Sequence, residues 1–146
     1  VKAWLAVLLV GCGGVVCPHP GPQPTTYVAV SADVTPQTLM DGFGFWSICG
    51  YNYNIWSAGD PEPKISIEPM PESVSKEYVG YAYPSLGLIY LRETAWSVTV
   101  AHELGHINGI KNHADPAING CHVMNEYGCW TDGLTQTDVD LWVEAN

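Results

Sequence analysis

The 146-residue sequence predicts an α+β domain. Three observations carry that expectation. Short segments with the two-residue alternation of strands fill the first two thirds of the chain, two later segments carry helix start signals, and the order runs strand, helix, strands, helix, helix. From about Thr26 onward roughly 120 residues remain, enough for one hydrophobic core and too few for two. The chain shows no internal repeat.

The elements follow in order. Tyr27 to Ser31 alternates weakly and is β-branched enough for a strand. Thr35-Pro36 then opens a helix, the threonine as cap and the proline in the first turn, where its missing N–H costs nothing. That helix runs through Leu39, Met40 and Phe43 to Trp46, with Gly42 and Gly44 weakening it. Lys64 to Glu68 alternates cleanly as a second strand, and Tyr78 to Tyr83 and Gly87 to Leu91 supply two more. A buried helix follows, capped by Thr94, bearing Trp96, Val98, Val100, Ala101, Leu104 and Ile107, and ended by Gly109. The last helix starts at Thr135, with Asp138 three residues on and Val139 and Trp142 on one apolar face.

The buried helix carries the chemistry. His102-Glu103-Leu104-Gly105-His106 spells H-E-x-x-H. Histidines at i and i+4 lie about 40° apart around a helix, so both imidazoles face one side. That spacing suits two of the three protein ligands of a catalytic zinc, which keeps a fourth position for water. Glu103, next to the first ligand, is placed to take a proton from that water. Two histidines and a glutamate on a buried helix would each cost several kcal/mol unless paired or metal-bound.

The stretch His102 to His113, H-E-L-G-H-I-N-G-I-K-N-H, resembles the long zinc motif of the metzincin peptidases, H-E-x-x-H-x-x-G-x-x-H. The family places its third histidine where Asn112 stands, and His113 comes one residue late. Imidazole binds zinc better than a neutral amide oxygen, so a one-residue bulge after Gly109 is expected to bring His113 in as third ligand. His122 is the reserve candidate and Asp115 a weaker one. Met124, in Cys121-His122-Val123-Met124-Asn125, suits the methionine turn that metzincins carry beneath the zinc. Tyr127 falls three residues after it, and is not assigned as a ligand. Leu134 to Trp142 is similar to the closing helix of matrixin-like members. The resemblance spans Tyr27 to the end and is specific from Ala101 to Trp142. It implies a metzincin-like (zincin) catalytic domain: a twisted mixed sheet, an active-site helix, a methionine turn and a C-terminal helix. It implies a zinc endopeptidase, with His102, His106 and His113 on Zn2+ and Glu103 as general base. In metzincins an edge strand pairs with the extended peptide substrate, and Gly87 to Leu91 is the candidate for that edge.

The front of the chain speaks about location. Lys2, the apolar run Ala3 to Val10 and Gly11-Cys12 describe a secretory signal, and Leu9-Val10-Gly11-Cys12 resembles the bacterial lipobox. The expected organisation is a lipoprotein-type signal peptide at 1–11, a Pro/Gly-rich tether at 12–26 and the peptidase domain at 27–146. His19 belongs to the tether and is expected in solvent. Export to a bacterial envelope or medium follows, with Cys12 as the one membrane anchor. Spending Cys12 on lipid leaves four cysteines, an even number that suits an oxidising compartment; the expected pairs are Cys17 with Cys49 and Cys121 with Cys129.

A net charge of −10 with five basic residues argues against nucleic-acid binding and against attachment to anionic lipid by charge alone. Asp60, Glu62, Asp115, Asp132 and Asp138 are read as solvating groups. The expected partner is a protein or peptide substrate, met by a monomer. Two alternatives stand beside this reading. One is a zinc-containing surface lipoprotein that binds a partner without catalysis; the other is a zinc peptidase of another clan with Glu126 or Glu144 as third ligand.

Overall fold

A computed structural model of the chain describes residues 15–17, 23–114, 122–125, 131 and 133–146. Within them lie five strands and three α-helices: β1 (Thr25–Val30), α1 (Pro36–Ser47), β2 (Asn52–Ile55), β3 (Ile65–Pro69), β4 (Gly80–Tyr83), β5 (Leu88–Leu91), α2 (Ser97–Ile107) and α3 (Gln136–Ala145). The strands form one sheet in the order β2-β1-β3-β5-β4. All neighbours are parallel except β4, which runs antiparallel to β5 at the sheet margin. The expected α+β class with a mixed sheet is what the chain adopts.

Register explains which residues make the core. Val28 pairs with Ile65, Ile67 with Ile89, and Ala82 with Ile89, so these side chains share one face. That face meets α1 and α2, and Val28, Ile67 and Ile89 are fully buried there. Tyr81 and Tyr83 project from the opposite face and are exposed. The sequence reading missed β2. Asparagine disfavours strands, and two of the four residues of Asn52–Ile55 are asparagine; the strand exists because Tyr53 and Ile55 pack inward while the backbone pairs with β1.

Thr35 caps α1 as expected, its hydroxyl accepting from the N–H of Thr38 at 3.2 Å. Gly42 has a positive reason to be there: a Cβ would stand 2.5 Å from Val100 Cβ, so α1 and α2 can touch only without it. The buried Trp46 indole N–H donates to the Ala101 carbonyl at 2.8 Å, fastening α1 to α2 beside the histidine motif.

Thr94 does not cap α2. Residues 92–95 are spent on a turn closed by the Ala95 N–H and the Arg92 carbonyl, and the helix starts at Ser97 with Trp96 at its cap position. The far end is as expected, with Gly109 in the left-handed region at φ 104°. Thr135 and Asp138 form a reciprocal capping box on α3.

Cys17 is bonded to Cys49, as expected. Val15 and Cys17, inside the stretch expected as a tether, lie against the core. Cys12, Cys121, Cys129 and the signal segment lie outside the described residues. Among the described residues no helix is long and apolar enough to cross a membrane.

Candidate metal centre

Three imidazoles converge at one end of a cavity of about 740 Å³ between α2 and β4. His102 and His106 come from successive turns of α2; His113 returns from the loop after Gly109. Their candidate ligand atoms all lie within 4.8 Å of one another. The ring centroids form a near-equilateral triangle with sides of 4.9, 5.1 and 5.1 Å. The group can hold a metal ion.

The hydrogen bonds behind the rings sharpen this. His102 Nδ1 lies 2.7 Å from the Val123 carbonyl oxygen, and His106 Nδ1 lies 2.7 Å from that of Ile110. A carbonyl only accepts, so each Nδ1 carries the proton and each Nε2 presents a lone pair. Those two Nε2 atoms face each other at 3.2 Å. Two lone pairs so close repel unless a cation lies between them. Burial acts in the same sense: it lowers His102 to about 4 and lowers His106 as well, so neutral imidazoles are favoured.

Glu103 is 5% exposed, and its carboxyl has no hydrogen-bond partner among the described residues. Burial pushes its pKa up to about 8. It lines the same cavity as the three histidines, with Gly80 and Thr99 as neighbours.

The opposing shifts predict a pH profile for the metal-free protein. Glu103 is raised on folding, so its contribution is present below its unfolded value of 4.5 and is lost as pH climbs through about 8. His102 is lowered on folding, so its contribution is present above its unfolded value of 6.5 and is lost as pH falls toward about 4. Above pH 6.5 only the Glu103 term changes, so the urea midpoint is expected to fall between about pH 6.5 and 8.5. In Glu103→Gln that alkaline fall should vanish. A parent midpoint flat across this range would refute the assignment.

Met124 is fully buried on a turn over residues 122–125. Its sulfur packs so closely on Gly105, between the two α2 histidines, that no side chain fits there. The same turn supplies the Val123 carbonyl that orients His102.

Asp138 is more than a solvating group. It is fully buried, and its carboxylate accepts from the N–H groups of Val123 (3.1 Å), Met124 (2.8 Å) and Thr135 (2.8 Å), and from the Thr135 hydroxyl (2.9 Å). The start of α3 thereby holds the turn that holds His102. The sequence reading saw the cap but not the turn, because only the fold brings residues 123 and 138 together.

Other candidates stand elsewhere. His122 is buried, with its Nδ1 2.8 Å from the Thr135 hydroxyl oxygen; it is not in the histidine group. Asn112 does not line the cavity, and Glu144 is exposed on α3 and outside the histidine group. Asp115, Glu126, Tyr127, Asp132 and His19 lie outside the described residues.

The candidate substrate edge also moves. β5 is flanked by β3 and β4 and has no free side; the margin beside the histidines is β4. The Arg92 N–H donates to the Val79 carbonyl at 2.9 Å. By the alternation of antiparallel ladders, the N–H and C=O of Gly80 and Ala82 then point away from β5 toward the open margin. The Arg92 guanidinium holds the approach to this strand, donating to the carbonyls of Val74, Ser75 and Tyr78.

No protein-family model and no curated protein matches the chain.

Proposed function

We propose that the chain is an exported zinc endopeptidase of the metzincin type, holding its metal through His102, His106 and His113. The observation that carries the reading is the facing pair of Nε2 lone pairs with both Nδ1 protons committed to carbonyls. Two nitrogen ligands on a tetrahedral zinc lie about 3.3 Å apart, close to the 3.2 Å between these atoms. A set of three imidazoles is a zinc-type donor set. The buried methionine under Gly105 and the glycine turn before His113 further support the family reading.

Zinc, when bound, supplies Lewis acidity that makes a water more acidic and polarises a scissile carbonyl. The chain's own residues do the rest. The outward N–H and C=O groups of Gly80 and Ala82 pair with an extended peptide and fix its backbone, irrespective of its sequence. Glu103 accepts a proton from the water as oxygen adds to the carbonyl carbon. It returns that proton to the departing amine nitrogen as the C–N bond breaks. The carbonyls of Val123 and Ile110 keep the two imidazoles in one tautomer throughout.

The test is metal content and cleavage of unfolded casein by the zinc-loaded chain, beside a His113→Ala variant. The parent is expected to bind one zinc and cut casein until chelator is added. His113→Ala should lose at least about 100-fold in zinc affinity. Unchanged affinity in that variant would move the third ligand elsewhere and sink the site. One zinc bound with no cleavage would favour the partner-binding alternative.

A further inference from the structure

Gly80 is the first residue of β4 and does not have a positive φ; that is confined to Gly50, Gly59, Gly87 and Gly109 among the described glycines. Its own conformation therefore does not call for glycine. Glycine in a strand often marks a place where another group comes close. The group here is the Glu103 carboxylate. A Cβ on Gly80 would stand 2.6 Å from Glu103 Oε1, 2.9 Å from Glu103 Cγ and 2.8 Å from Thr99 Cγ2.

Among the described residues Glu103 has no hydrogen-bond partner, and packing sets its position. One wall is Thr99, one turn earlier on α2; the other is the bare backbone of Gly80. We propose that Gly80 is a positioning residue, whose missing side chain is the space in which the Glu103 carboxylate rests beside the open margin of β4. The role rests on the peptidase reading for its catalytic meaning and on packing alone for its structural one. Alanine at 80 displaces the carboxylate from the strand. A displacement on the order of 1 Å costs a reacting group up to about a hundredfold in rate. Gly105 differs: its close neighbours are Met124 and Trp46, so its role is in the core.

The experiment is a double-mutant cycle between Gly80→Ala and Glu103→Asp, whose carboxylate is one methylene shorter and leaves room for the new Cβ. In the zinc-loaded parent, Gly80→Ala is expected to lower kcat on casein peptides at least tenfold with KM within about twofold and one zinc still bound. In the Glu103→Asp background the same substitution should change kcat less than about twofold. An equal loss in both backgrounds, or a loss carried by KM, would overturn the proposal. The second arm does not depend on catalysis. In metal-free protein, Gly80→Ala should lower the thermal midpoint, and the drop should shrink by at least half when Glu103 is alanine. Equal drops in both backgrounds would overturn the packing claim even if the parent cleaves nothing. A parent that binds zinc without cleaving, with the midpoint coupling present, would remove the peptidase reading and leave the packing role standing.

Discussion

Glu103→Gln is expected to abolish casein cleavage almost completely, by about a thousandfold, while one zinc remains bound. General acid–base groups contribute about 10²–10⁴ to rate, and in the proposed mechanism Glu103 is the one such group moving the proton both ways. The amide is nearly isosteric with the acid, so the cavity between Gly80 and Thr99 stays filled. Loss of activity then reports lost proton transfer and not collapse of the site. Cleavage rate per bound zinc is the measurement. Full activity with zinc bound would end the peptidase mechanism, whatever the metal does.

Asp138→Ala is expected to cost about 3 kcal/mol or more in urea unfolding of the metal-free protein. The substitution strips three backbone N–H groups, those of Val123, Met124 and Thr135, of their acceptor, and each buried donor left alone costs about 1–3 kcal/mol. The damage should reach the metal site. With its turn released, the Val123 carbonyl no longer fixes His102, and zinc affinity is expected to fall about 10–100-fold. Alanine at Glu144, exposed on the same helix, is the control and should do neither. A change under about 1 kcal/mol at Asp138 would mean the turn holds without it.

Much of the site was legible because the chemistry is local. His102, Glu103 and His106 lie within five consecutive residues, and helix geometry alone aligns the histidines. Gly109 was readable as the stop that frees His113, and Thr135 with Asp138 as a cap. Errors arose mostly where the deciding contact is distant, with one local exception. Thr94 looked like a cap, but residues 92–95 close a turn of their own. Asn52–Ile55 has weak strand preference and became a strand by pairing with β1. Gly87 to Leu91 resembled an edge, yet β4 folds back beside it and takes the margin.

Sequence by itself determined the helix that aligns two imidazoles, the glycine that ends it and the acid beside the first histidine, because each depends on neighbours within a few residues. Tertiary structure alone decided that His113 and not His122 joins them, that Asp138 holds the turn bearing Met124, and that Gly80 backs Glu103. The physical reason is the same in each case. Propensity and periodicity are set along the chain, whereas burial, a shared hydrogen bond and the room for one Cβ are set by segments that meet only in the folded state.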